Sequence, residues 1–165
     1  MEMKYCMECG GKLTPRPHRE GGLVPWCGGC GAFRHPVYST AVIMVVMDGT
    51  RQRVLLIQQY GRGKNILVAG YIDRGEAAED ACRREVGEEL GLTVRSLRYH
   101  RSEYLARTNT LMLCFAVEVE PGEMRPNGEI DAWGWFSLSE AREAILPGSL
   151  AARFLNEVLD GEENA

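Results

Sequence analysis

Apolar residues recur along this chain in two rhythms, and the switch between them outlines its elements. "YSTAVIMVVM", residues 38–47, and "RVLLIQQY", residues 53–60, are rich in aliphatic and β-branched side chains and predict two strands. Asp48-Gly49 between them predicts a tight hairpin turn. After a polar loop, "ILVAG" reads as a short buried strand. From Ala77 to Leu90 the rhythm changes: Ala78, Ala81, Cys82, Val86 and Leu90 recur at the helical period, and Gly91 closes the helix. Residues 94–106 and 110–120 predict two longer strands joined near "RTN", and "AWGWFS" a last one. Ser137 with Glu140 forms a capping box for a short helix through Ile145, and Pro147-Gly148-Ser149 opens a terminal helix over 150–159. This order predicts a sandwich of helices on a sheet of mixed strand direction, α/β or α+β in class.

Residues 1–36 lack any such rhythm. They are rich in Gly, Pro and Cys, cannot bury a core and need a staple. Cys6-x2-Cys9 and Cys27-x2-Cys30 supply one: each knuckle turns two thiolates to one side, and two knuckles close a tetrahedron around Zn²⁺. Four thiolates leave no open coordination position, so this zinc is expected to be structural. A nucleic-acid-binding ribbon is the alternative use of the segment, against a loop whose basic content is only Lys12, Arg16, His18 and Arg19. His18 and His35 are expected to be loop residues, and Cys82 and Cys114 small buried hydrophobes.

With 165 residues the chain suits one core plus that appendage, and a net charge of −4 argues against a broad nucleic-acid surface. No apolar run approaches the ~20 residues that cross a bilayer, and the N-terminus has no apolar signal core, so a cytoplasmic home without membrane contact is expected.

One feature contradicts good helix design. Glu85, Glu88 and Glu89 crowd the last turns of the helix, where carboxylates oppose the macrodipole, and Gly87 adds ~1 kcal/mol against Ala. At ~100° per residue the three fall on one face, which is expected to project away from the helix's own core. Either this is a solvated acidic face flanked by Arg83 and Arg84, or it holds a hard divalent cation, Mg²⁺ or Mn²⁺.

The wider pattern separates these readings. From Gly70 the chain runs Gly, five residues, Glu76, seven residues, Arg84-Glu85-Val86, one residue, Glu88-Glu89, one residue, Gly91-Leu92. It resembles the Nudix box, G-x5-E-x7-R-E-U-x-E-E-x-G-U with U aliphatic, at every fixed position. The resemblance implies an α/β/α sandwich with a mixed β-sheet over residues 37–165, preceded by the zinc ribbon of residues 1–36. It implies hydrolysis of a nucleoside diphosphate linked to another group. Glu85 and Glu89 become the principal Mg²⁺ or Mn²⁺ ligands, Glu88 a ligand or the brace of one, and the Gly70 carbonyl a further ligand. Arg84 would orient Glu85, and Glu76 would be structural or a minor contributor. Glu129, in "NGEIDAWGWF", resembles the position that supplies a further ligand or the catalytic base; Glu118 and Glu123 are weaker candidates.

A zinc ribbon joined to this box resembles the NADH diphosphatase group, which implies a homodimer, a dinucleotide giving AMP and a second phosphate product, and NAD-capped RNA as a further substrate. Where that group carries Ser-Gln-Pro-Trp-Pro-Phe-Pro-x-Ser, this chain has "SEYLARTNT", keeping Ser102 as a substrate contact with Thr110 as a stand-in. NAD(H), ADP-ribose, FAD and dinucleoside polyphosphates therefore stay open. Tyr71 is a candidate for stacking on a base or nicotinamide ring, and Arg62 and Lys64 for steering phosphates. Two other functions remain: cleansing of modified nucleoside triphosphates, and a non-catalytic ligand- or nucleic-acid-binding regulator.

Overall fold

The structure, a computed structural model, describes residues 3–163. Its first part is a small antiparallel sheet of β1 (Leu13–Pro17), β2 (Leu23–Cys27) and β3 (Ala32–Phe33), in that order. The apolar cluster here is only Cys6, Leu13 and Cys27 with Met3 against it, too little to hold the segment by burial alone. His18 packs edge-on against Phe33, away from the cysteines' role.

The main sheet is built around β4 (Ser39–Met47). β8 (Thr110–Val119) lies parallel to it on one side, with β7 (Val94–Leu105) antiparallel beyond. On the other side β4 is shared. Its first half pairs with β6 (Val68–Tyr71), and its end meets β5 (Arg53–Gln59), which carries β9 (Ile130–Ser137) at the edge. Mixed strand direction is thus confirmed.

Strand alternation divides β4 between two cores. Val42, Met44 and Val46 pack with Leu55, Ile57, Phe115 and Val117 under α1 (Ala78–Leu90). Ala41, Ile43, Val45 and Met47 pack on the opposite face with Phe154, Leu155, Val158 and Leu159 of α3 (Leu150–Glu163) and with Ala141 of α2 (Leu138–Ala144). A run buried on both faces needs no polar alternation, which is why "AVIMVVM" has none. The result is the expected α/β/α sandwich. No helix among the described residues is long and apolar enough to cross a membrane.

The capping box forms as expected: Glu140 N–H donates to Ser137 Oγ, and the Glu140 carboxylate accepts from Ser137 N–H. Ser149 Oγ likewise accepts from Ala152 N–H at the start of α3, which runs past the expected residue 159. The β4–β5 connection is "DGTRQ", and its turn opens at Asp48, whose carbonyl accepts from Arg51 N–H at 2.9 Å. The connection spans five residues, with the positive φ at Arg51 (57°) and not at Gly49. The Asp48 carboxylate supplies the reason, accepting hydrogen bonds from Thr50, Gln52 and Arg53 and so closing a wider loop.

Candidate active site

The box forms a strand–loop–helix. Gly70 lies in β6 opposite Val42, and the chain then loops through Glu76 into α1. The helix begins at Ala77 without a side-chain cap and ends on Gly91, φ 67°, whose N–H returns to the Gly87 carbonyl.

Two of the three helix-end glutamates do not face solvent. Glu85 is 8% and Glu89 6% exposed; only Glu88 is open. Burial on the sheet side follows from a missing side chain: a Cβ built on Gly70 would fall inside the Glu85 carboxyl group. Glycine here is a cradle for Glu85.

Arg84 organises this corner. Its guanidinium donates to Glu85 Oε1 at 2.7 Å, to both Glu76 oxygens at 2.8 and 2.9 Å, to the Tyr71 carbonyl at 2.9 Å and to Glu88 Oε2 at 3.3 Å. It thereby ties the end of β6 to the loop and to the helix. The same contacts hold the Glu76 carboxyl down at about 2, Arg84 first and the Asp73 N–H second.

The far wall is brought in by the helix terminus. The carbonyls of Glu89 and Leu90 have no partner within the helix and accept from Asn127 N–H at 3.0 Å and Arg125 N–H at 2.8 Å. That docking places the loop before β9 on the end of α1. Asn127 Oδ1 then accepts from Glu129 N–H at 3.0 Å, which fixes Glu129 across from Glu89.

Gly70, Tyr71, Arg84, Glu85, Glu89 and Glu129 line one cavity of about 530 Å³, closed on the other side by Leu105, Thr108, Thr110 and Met112 around the β7–β8 hairpin. Burial, then Glu85 and Glu129 nearby, push the Glu89 carboxyl up to about 7. No three carboxylates converge, however. Among the described residues, the four cysteines are the one group of three or more His, Cys, Asp or Glu whose ligand atoms lie within 4.8 Å of one another. The glutamates surround the cavity with Glu85 held by Arg84, an arrangement that suits a hard cation bridging like charges across a gap.

Other predicted residues sit as follows. Tyr71 stands at the rim, 63% exposed. Glu88 and Ser102 are outside the lining, whereas Thr110 is part of it. Glu118 pairs with Arg51 and Arg95 at another edge, and Glu123 with Arg125. Arg62 and Lys64 are exposed. Missed in the sequence were Gln59 and Tyr60 at the end of β5, whose partners lie 30 and 69 residues away, Glu89 and Glu129. A second cleft, about 450 Å³ at the β4–β5 loop, has its Arg53 and Arg95 already paired with Asp48, Glu118 and Glu120 and offers no free carboxylate cluster.

In the cysteine cluster, the two knuckles repeat one geometry. Gly10 N–H bonds to the Cys6 carbonyl and Gly31 N–H to the Cys27 carbonyl, each glycine at positive φ. Cys6 and Cys30 sulfurs are 3.9 Å apart, Cys9 and Cys27 3.4 Å. Arg34 Nε donates to Cys6 Sγ at 3.2 Å and lowers that thiol to about 6, so thiolate, the ligand form, is favoured there. Four sulfurs so held suit one thiophilic ion. Cys82 and Cys114 are fully buried, and burial pushes both thiols up to about 12.

The strand–loop–helix of the α/β/α sandwich thus lines one cavity with carboxylates. The chain belongs to the NUDIX domain family, whose model matches residues 37–155. Its relatives include the NAD-capped RNA hydrolase NudC of Chromobacterium violaceum, 31% identical over 92% of this chain and 58% of the relative. That of Deinococcus radiodurans is 30% identical over 94% and 56%. The chain thus spans about three-fifths of the length of the curated relatives it matches. Among solved structures, a NUDIX hydrolase from Nitrosomonas europaea superposes with a TM-score of 0.66, at 21% identity over 96% of this chain and 94% of that one. A C. elegans Ap4A hydrolase gives 0.63 at 18% identity, over 77% and 99%.

Proposed function

We propose that the chain is a Mg²⁺- or Mn²⁺-dependent pyrophosphohydrolase acting on an NAD(H)- or ADP-ribose-type dinucleotide, giving AMP and a second phosphate product. The observation that carries this reading is the meeting of Gly70, Glu85, Glu89, Glu129 and Tyr71 around one cavity. The NudC relatives support the dinucleotide class and add NAD-capped RNA as a candidate.

In this reading Glu85, Glu89, Glu129 and the Gly70 carbonyl hold the ion, with Glu88 adding charge from outside the cavity. The ion, when bound, neutralises phosphate oxygens and lowers the pKa of water. Arg84 keeps Glu85 in place through its 2.7 Å hydrogen bond. Glu129, exposed where Glu85 and Glu89 are buried, would either bind the ion or take the proton of the attacking water. Water oxygen adds to one phosphorus, and the bridging oxygen leaves with the other phosphate. Tyr71 offers a ring face to the base or nicotinamide, and Arg62 and Lys64 steer phosphates. Residues 1–36 form a separate Zn²⁺-stapled ribbon and residues 37–165 the catalytic domain, working as a cytoplasmic homodimer. Every box glutamate is present, which favours an enzyme over a binding-only regulator.

Product analysis tests this. The full chain is incubated with Mg²⁺ and equal amounts of NAD⁺, NADH, ADP-ribose, FAD, diadenosine polyphosphates and oxidised dGTP. AMP released fastest from a dinucleotide or ADP-ribose supports the reading. Preference for oxidised dGTP would move it to nucleotide cleansing, and no cleavage at all would overturn it.

A further inference from the structure

We propose that Gln59 and Tyr60, consecutive residues at the end of β5, are positioning residues that together set the separation of Glu89 and Glu129 across the metal site. The proposal rests on the metal-binding reading given above.

Were β5 to continue past Gln59, its last residue, the side chain of Tyr60 would point to the opposite face. Two irregularities cancel that alternation here. The β5–β9 register shifts between Gln58 and Gln59, and Tyr60 adopts a left-handed backbone with φ 59°. Both side chains consequently reach carboxylates that line the cavity. Gln59 Nε2 donates to Glu89 Oε2, and the Tyr60 hydroxyl donates to Glu129 Oε2, each at 3.3 Å.

A non-glycine residue in this conformation is held against its own preference. What holds it is visible: Gly61 N–H donates to Asp131 Oδ2 at 2.6 Å, one residue into β9 and two beyond Glu129. The loop after β5 and the entry to β9 are thus joined twice, through Gly61–Asp131 and Tyr60–Glu129.

The chemistry of the donors matters as much as their place. A buried amide and a phenol each donate to one oxygen of a carboxylate and leave the other free for a cation. A lysine or arginine at either position would compete with that cation. Arg84 occupies the other side of the cluster, where it engages Glu85.

The test uses the full chain with its cysteine cluster filled with Zn²⁺, and Mn²⁺ as the probe. Free Mn²⁺ is counted by electron paramagnetic resonance without substrate, and kcat and KM are measured separately with NAD⁺ and with ADP-ribose. Gln59→Met and Tyr60→Phe are each expected to weaken Mn²⁺ binding by about tenfold, the effect typical of losing a ligand's hydrogen-bond partner. Whichever of the two substrates is cut, kcat falls and KM for it stays within about twofold, because neither residue is assigned a substrate contact. Gln58→Met removes the Gln58–Asn65 hydrogen bond from the same strand end and should leave Mn²⁺ affinity unchanged. Tyr60→Phe deletes only a hydroxyl on an exposed ring, so it reports even if the buried Gln59 variant fails to fold. Wild-type-like Mn²⁺ affinity in Tyr60→Phe, or an equal loss in Gln58→Met, would overturn the proposal. If the wild type itself binds no Mn²⁺, the metal-binding reading fails and the proposal falls with it, a result recognisable before any variant is measured.

Discussion

Gly70 and Glu85 occupy one space between them: the carboxyl group of Glu85 fills the volume that any side chain at position 70 would need. A strand glycine weakens a sheet, and its compensation here is a buried carboxylate beside a backbone carbonyl. Gly70→Ala must therefore push β6 off β4 or expel Glu85. Overpacking of this kind costs ~1–3 kcal/mol, and activity should fall at least about tenfold with the displaced ligand. Gly87, on the exposed side of the same helix, has open space around its Cβ position. Gly87→Ala should stabilise by ~1 kcal/mol. Urea midpoints of the two variants moving in the same direction would refute this contrast.

The Glu76–Arg84 pair gives a pH signature. The Glu76 carboxyl is held at about 2, below its ordinary value of 4.5. A depressed acid contributes stability that is fully present above the unfolded value and is lost as pH falls through the folded one. Between pH 5 and pH 2 the wild type should therefore lose stability more steeply than Glu76→Gln. Chemical unfolding at intervals over that range checks it, and parallel curves would remove the assigned role.

If the four cysteines hold Zn²⁺, removing it should have a local effect. With so small an apolar cluster at Cys6, Leu13 and Cys27, residues 1–36 lose their order once the sulfurs are freed. Cys27→Ser, or strong chelation, should open this segment to limited proteolysis while the sandwich of residues 37–155 resists. Elemental analysis of the wild type should give one Zn²⁺ per chain.

Cys82 and Cys114 serve as markers for that experiment. Both are fully buried in opposite cores, with thiols pushed up to about 12. In the folded protein a thiol reagent should leave them untouched even after zinc is withdrawn, and all six cysteines should react on denaturation. Early reaction at Cys82 would mean that α1 opens on its own.

Much of the architecture could be read from periodicity, because β4 and α1 carry unmixed signals: one is buried on both faces, the other has a clean apolar stripe. The acids of α1 show where such reading stops. At ~100° per residue Glu85 and Glu89 lie within the arc of that stripe, between Ala81 and Cys82, so the expected projection away from the helix's own core does not hold. Their burial follows from that placement and is completed by β6 and the Asn127 loop, whose docking spacing does not encode. In the Asp48 loop the position of the left-handed residue was not legible, since the Asp48 carboxylate accepts from Gln52 and Arg53 and the positive φ falls at Arg51. Gln59 and Tyr60 were illegible because their meaning lies wholly in distant partners. The cysteine quartet was the opposite case, with spacing, glycines and chemistry all local.

In the proposed function the buried carboxylates of α1 would hold the ion that makes pyrophosphate cleavage possible. The most direct test is AMP release from NAD⁺ and ADP-ribose by the wild type, Glu85→Gln and Glu89→Gln, each with Mg²⁺ and after chelation. The account predicts Mg²⁺-dependent cleavage by the wild type and a loss beyond about a hundredfold in both variants, more than a lost hydrogen-bond partner would cause. Glu89→Gln cleaving within a few-fold of the wild type, or cleavage surviving chelation, would contradict it.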